Sequence, residues 1–484
     1  MPSRLVFILR GLPQRRIYDG DSKMRLLGSA IVLCILSACG GGGGGDPVVQ
    51  DLTIETSPDT TTLESLMVAS SPTKSKDFYL IPDSDDYDNI PQDPLNPLTD
   101  AKVEVGKLIY HDPAFATEGV ALRAKTWSCA SCHHARAGFK SGMIQGIGEG
   151  GEGFGSKGET RGWFDPEIGT QDADVQPVTS PTILNVAFQD VMLWNGQFGN
   201  ASNGIINAGI DPELLMTEGT PKVANAEGLS GIETQVIAGT GVHRILGFPP
   251  ELEDSDYYQM LLDAFPEYSR DELHKSSTRA IAAYERTVLA NKSPFQLWLR
   301  GDVDAMSEKE IAGAEVFFGD GGCVACHQGA AFSSPVGATA DQVFFSVGFA
   351  DLDFNEIIGG VPDAVRLGRG SFTQVEEDNY KFKVPQLYNL ADIGVFGHGG
   401  SFGSVREVVE YKNYAVPQND ASTDFLDPRF QPLGLTSQQV DDLVEFLEVS
   451  LRDPDLMRYE PTSVPSGLCV INNDSTSRSD LGCE

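Results

Sequence analysis

The sequence predicts a mainly α fold built as two similar halves. Three observations carry that reading: capped apolar stripes at helical spacing, a scarcity of alternating strand patterns, and one cysteine–histidine pattern that occurs once in each half. The 484 residues leave room for two or three domains, at about 100–200 residues each.

The helices can be taken in chain order. Val103 to Tyr110 reads as a helix that delivers the chain to the first cysteine pair, and a second helix is expected near Thr278 to Leu289. Asn291-Lys-Ser-Pro-Phe295 then punctuates the chain as a domain junction. Ser307-Glu-Lys-Glu310 is a capping box, opening a helix with Ile311, Ala314 and Phe318 on one face, just before the second cysteine pair. Ser404-Val-Arg-Glu407 is another capping box, and its helix runs through Val405, Val408 and Val409 to Tyr411 and Lys412. Thr436-Ser-Gln-Gln439 starts a terminal helix striped by Val440, Leu443, Val444, Leu447 and Leu451. Gly146 to Gly162 lacks the Lys-Ser/Thr ending of a phosphate loop and reads as an irregular surface loop.

The repeated pattern is Cys129-Ala-Ser-Cys132-His133 and Cys323-Val-Ala-Cys326-His327. Two thiols on one turn can each add to a haem vinyl group while the adjacent imidazole ligates iron, which is the attachment signature of c-type haem. Zinc held by four thiolates is the competing reading, and a histidine directly after each pair argues against it. The expected fold is therefore two cytochrome c-like domains, each with one covalently bound haem c.

Met24 to Cys39 has a positive start, a short apolar run and small residues before a cysteine, the logic of a secretory signal. Leu36-Ser-Ala-Cys39 has the form of a lipoprotein processing site, so Cys39 is expected to carry lipid, and residues 1–23 fit an unused upstream start. Residues 40–96, rich in Gly, Pro and Asp, are expected to form a flexible tether. Four cysteines are taken by haem, Cys34 and Cys39 by the signal, and Cys469 and Cys483 remain to pair as a disulfide in an oxidising compartment. Without residues 1–39, 29 basic side chains face 67 acidic ones, which excludes nucleic acid and anionic membrane surfaces as partners. Such a surface would steer a basic electron carrier, and it equally serves solubility.

Val105-Gly-Lys-Leu-Ile-Tyr-His-Asp-Pro113, Ser180-Pro-Thr-Ile-Leu-Asn-Val-Ala-Phe188, Leu193-Trp-Asn-Gly196, Ala280-Ile-Ala-Ala-Tyr-Glu-Arg-Thr287, Ser293-Pro-Phe295, Phe382-Lys-Val-Pro-Gln-Leu-Tyr-Asn-Leu390 and Gly397-His-Gly-Gly-Ser-Phe402 are connected segments that resemble the bacterial di-haem cytochrome c peroxidase and MauG family. The similarity spans about residues 97–452. The resemblance implies an N-terminal haem where peroxide reacts and a C-terminal haem that passes electrons, with Trp194 between them. His133 and His327 are the proximal ligands on both readings.

The resemblance also exposes departures. Where the family places an acid–base glutamate, Gly241-Val-His-Arg244 puts His243, with Arg244 as a cationic helper. The roles left open for His243 are proton transfer, iron ligation, or neither. From Ala135 to Gly241 there is no histidine, so the loop ligand of the classical peroxidases has no counterpart, and His134 is a poor substitute beside the proximal ligand. No methionine lies in the helix that follows the His398 turn. Tyr411 and Lys412 straddle the distal position of the C-terminal haem, with His398 a weaker candidate. Thr179 and Ile393 stand where family members ligate calcium, which puts calcium in doubt.

The expected organisation is a lipoprotein signal (1–39), the tether (40–96), a peroxidatic domain (97–290), an electron-transfer domain (291–455) and a disulfide-closed tail (456–484). The expected function is reduction of hydrogen peroxide to water with electrons from a small cytochrome c or cupredoxin, by a periplasmic protein lipid-anchored to a bacterial membrane, the outer one foremost. A homodimer is the oligomer considered. The alternatives are a MauG-like oxidase that modifies an aromatic residue of a protein substrate, and a plain electron-transfer cytochrome.

Overall fold

The computed structural model describes residues 59–116, 123–163, 174–199, 206–245, 247–351 and 361–483. The expected signal, with Cys34 and Cys39, lies outside the described residues. The helices that position the site are α1 (Thr61–Ser70), α2 (Asp100–His111), α3 (Gly231–Val242), α4 (Leu273–Thr287), α5 (Glu308–Phe318), α6 (Val405–Tyr414), α7 (Ser437–Glu445) and α8 (Ser475–Leu481). Among the described residues, paired strands are two short antiparallel ribbons, apart from isolated bridges. These are β1 (Gly151–Glu152) with β2 (Gly162–Trp163), and β3 (Phe344–Phe345) with β4 (Phe382–Lys383).

The caps form where side-chain chemistry dictates. Ser307 Oγ accepts from the Glu310 amide at 3.3 Å while Glu310 Oε2 accepts from the Ser307 amide at 2.8 Å, and Thr436 and Gln439 form the same box at α7. At α6 only half of the expected box forms. Ser404 accepts from the Glu407 amide, but the Glu407 carboxylate turns to the Gly403 amide instead. α2 starts at Asp100, three residues before the expected Val103, because Thr99 caps it.

Two helix crossings organise the body: α2 packs on α4, and α5 packs on α7. At each, the backbones meet at a glycine. A Cβ on Gly106 would stand 1.9 Å from the Ala280 carbonyl oxygen, and one on Gly313 1.9 Å from that of Asp442. The repeat continues into the loops. Phe139 and Phe332 follow the two motifs at φ 58° and 49°, and Asn185 and Asn389 both sit at φ 58°. Small bridges, Met192 with Phe198 and Phe396 with Phe402, close the matching turns that bear Trp194 and His398.

Three stretches differ from expectation. From Asp59 onward the supposed tether is packed: Leu63 and Met67 of α1, then Tyr79 and Ile81, are fully buried, and the Gln296 amide clamps the Ile81 amide and the Tyr79 carbonyl. Its Pro- and Asp-rich composition conceals those apolar anchors. In the glycine-rich segment 146–162, residues 146–154 are largely buried, because Arg161 fills the centre and bonds the carbonyls of Ile147 and Gly148 at 2.6 and 2.8 Å, while residues 156–160 form a surface tip. The expected junction at Asn291 is continuous core, with Leu289, Ala290, Phe295 and Trp298 all buried in one cluster.

The crossing geometry makes a direct prediction. Gly313→Ala should lower stability by at least about 2 kcal/mol in chemical denaturation, because a methyl cannot be placed without moving backbone. Gly394→Ala, where a Cβ meets nothing within 4 Å, should stay within about 0.5 kcal/mol of the parent.

Candidate functional site

Each cysteine motif folds as one tight turn. The His133 amide donates to the Cys129 carbonyl at 3.2 Å, and the His327 amide to the Cys323 carbonyl at 3.0 Å. The turn gathers two thiols and an imidazole at one place, as covalent haem attachment requires. Among the described residues these four cysteines are free, while Cys469 and Cys483 are joined as a disulfide. The His327 Nδ1 lies 2.8 Å from the Phe332 carbonyl, which leaves Nε2 to ligate. Burial lowers both His133 and His327 to about 4, so each ring is neutral at physiological pH, the form that binds a metal.

The second motif opens onto a cavity of about 310 Å³, walled by Phe317, Phe345, Leu443 and Leu447 around Cys323, Cys326 and His327. Two thiols, a neutral imidazole and an apolar enclosure fit a haem c. Pro181 and Thr182 line the same cavity, and Thr182 donates to the Gly138 carbonyl just past the first motif. Trp194 stands in this wall, its Nε1 donating to the Thr179 carbonyl at 3.0 Å. His398 meets it edge-on with ring centroids 5.4 Å apart, stacks on Phe382 at 4.1 Å, and bonds Asp351 at 2.6 Å.

The two distal candidates separate. Tyr411 donates its hydroxyl to the Val347 carbonyl at 2.6 Å and packs among Phe349, Phe402 and Phe430, off the cavity wall. Lys412 lines the cavity, and burial lowers its ammonium to about 8. His398 also lines the cavity, with Nδ1 taken by Asp351.

Around the first motif, His243 caps the end of α3. Its Nδ1 lies 3.1 and 3.0 Å from the two carboxylate oxygens of the buried Asp174. Burial alone would lower the His243 pKa, but the Asp174 charge and hydrogen bond outweigh it and raise it above 6.5. The Trp127 indole donates to the His243 carbonyl at 3.0 Å and fixes the end of the helix. Arg244, at φ 55°, reaches back to the fully buried Glu149 at 2.6 Å. That contact ties Arg244 to the glycine-rich loop. His134 is fully buried, edge-on to Phe154, with neither ring nitrogen hydrogen-bonded.

Sequence reasoning named His243 and His398 but missed their carboxylate partners. Asp174 and Asp351 lie 69 and 47 residues from their histidines. Gly148 is the one signal that could have marked Asp174: a Cβ there would lie 2.1 Å from the carboxylate.

Residues 100–304 match the model of the family described as di-haem cytochrome c peroxidase. The chain is 24% identical to the methylamine utilization protein MauG of Methylorubrum extorquens over 370 residues, 76% of this chain and 83% of that protein. It is 28% identical to the cytochrome c peroxidase of Escherichia coli K12 over 340 residues, 68% of this chain and 58% of that one. The cytochrome c551 peroxidase of Pseudomonas aeruginosa is 25% identical over 321 residues, 65% of this chain and 72% of its own length. The crystal structure of a MauG-like protein associated with microbial copper homeostasis shares the fold, with a TM-score of 0.52 at 21% identity, covering 78% of this chain and 96% of that one. Residues 100–304 thus resemble the di-haem cytochrome c peroxidase family, the relatives that match are named both MauG and cytochrome c peroxidase, and the mainly helical fold is shared with a MauG-like protein.

Proposed function

We propose that this protein reduces hydrogen peroxide to water at its first motif, with electrons that enter at the second from a small cytochrome c or cupredoxin. The observation that carries this reading is the His243–Asp174 pair. Reduction breaks the O–O bond and consumes two electrons and two protons, so the site needs a group that moves a proton between the peroxide oxygens. With Nδ1 engaged by Asp174, His243 has Nε2 free to take the proton from one oxygen and return it to the departing one. Haem c held by Cys129, Cys132 and His133, and by Cys323, Cys326 and His327, supplies the redox-active iron when bound. Arg244 keeps a fixed positive charge beside the histidine, and Trp194 supplies an aromatic step in the wall between the motifs.

Lys412, on the cavity wall, would ligate the iron of a haem bound at the second motif in preference to Tyr411, whose hydroxyl is already used by Val347. The lack of a methionine there favours a second reading, a MauG-like oxidation of an aromatic residue in a partner protein. The periplasmic, lipid-anchored location rests on Leu36-Ser-Ala-Cys39. Among the described residues no helix is long and apolar enough to cross a membrane.

Two sets of predictions follow the chemistry. Proton abstraction needs neutral His243, and its pKa is raised, so the peroxide rate should climb with pH through a midpoint above 6.5 and then level. His243→Gln should lower that rate about 10²- to 10⁴-fold. Asp174→Asn, which removes the anion that favours imidazolium, should move the midpoint to lower pH; stopped-flow rates across pH check both. In redox titrations, Lys412→Met should raise the potential of the second haem, whereas Tyr411→Phe should leave it unchanged.

A further inference from the structure

The C-terminal tail, which lies outside residues 100–304 that match the family model, folds back onto the first motif. The Ile471 amide donates to the His111 carbonyl at 3.0 Å, and the Asn473 amide to the Thr126 carbonyl at 3.2 Å. Ser128 Oγ donates to the Ile471 carbonyl at 2.8 Å, while Ser131 bonds the Asn472 side chain. Both serines belong to the segment that carries Cys129 and Cys132.

From there the tail grips the glycine-rich loop. Asp474 caps α8, accepts from the Gly153 amide at 3.0 Å, and pairs with Arg161 at 3.4 Å, both side chains being 2% exposed. Asp480 accepts from the Phe154 and Gly155 amides at 2.8 and 2.7 Å. Arg161 in turn bonds the Gly148 carbonyl at 2.8 Å, and the Gly148 amide donates to the Asp174 carbonyl at 2.8 Å. Gly148 is also the residue whose missing side chain leaves room for the Asp174 carboxylate. One run of buried contacts therefore joins the tail to the partner of His243. The Cys469–Cys483 disulfide closes the tail over 14 residues and limits how far it can open.

We infer that the tail is a brace for the first site. Asp474 and Arg161 act as positioning residues, working through the Gly146–Phe154 loop to hold Asp174 against His243. This rests on the acid–base reading of His243. The charged and titratable groups around His243 are Asp174 from the opposite loop, Arg244 on its own segment, Glu149 beyond Arg244, and His133 from the first motif. The tail reaches these groups through the loop, by way of Arg161 on the Ile147 and Gly148 carbonyls, and through Trp127, whose indole bonds the His243 carbonyl.

The test uses the full haem-loaded chain in three variants: Asp474→Asn, Asp480→Ala, and the Cys469→Ser/Cys483→Ser double substitution. The second and third keep the assay informative where Asp474→Asn, which strands a buried Arg161, fails to fold. The measurements are the peroxide rate across pH and the potential of the second haem. A displaced Asp174 should slow the reaction about 10- to 100-fold and move the pH midpoint in the direction of Asp174→Asn, with the second potential unchanged. Rates and midpoints within about twofold of the parent, while His243→Gln still removes the reaction, would overturn the brace and leave the acid–base reading standing. A His243→Gln variant at parental rate would sink both. Loss of both haem sites together would also overturn the inference, since the tail would then support the whole fold and not one site.

Discussion

The structure depends on a steric constraint, the close approach of two helix backbones in each half. α2 and α4 meet at Gly106, α5 and α7 at Gly313, and neither crossing leaves space for a single methyl group. That contact packs each opening helix against its partner, and in the second half the helix ends at Phe318, shortly before the Cys323 turn. The turn then has little freedom: its histidine amide is bonded back to the first cysteine carbonyl, and its imidazole is partly buried and neutral. Attachment chemistry needs thiols and imidazole to converge on one site, and a rigid helix pair behind a short turn achieves this twice with the same parts.

Around that repeated frame the halves diverge in what faces the bound group. The second motif opens into an apolar cavity with Lys412 on its wall. The first is surrounded by polar machinery: His243 with Asp174, Arg244 with Glu149, and a loop packed on Arg161. Peroxide chemistry needs a proton carrier at one end, and electron entry needs only a dry, conductive environment. Asymmetry on a symmetric frame is what a division of labour between the two motifs would require.

Local chemistry made much of this legible in the sequence. The Cys-x-x-Cys-His turns, the capping box at Ser307 and the stripe from Val440 to Leu451 are each written within a few residues. The misread stretches have the opposite character. Residues 59–96 look like a tether because four or five apolar anchors are scattered among prolines and aspartates, and their burial depends on partners such as Gln296, more than 200 residues away. Asp174, Asp351 and the Arg161–Asp474 pair were invisible for the same reason: a carboxylate becomes a partner only when the fold brings a distant cation or imidazole to it. The tail was seen as a disulfide loop, but nothing in its composition reveals that it packs on the first motif.

The central claim is that peroxide is reduced at the first motif with His243 moving the proton. Electron paramagnetic resonance of the resting ferric protein, repeated after one equivalent of peroxide without prior reduction, tests it most directly. The account predicts a high-spin ferric signal that peroxide consumes promptly, with the signal preserved in His243→Gln but consumed slowly. Two low-spin signals that peroxide leaves untouched would contradict it, because both irons would then be closed by ligands and the His243–Asp174 pair would have no reaction to serve.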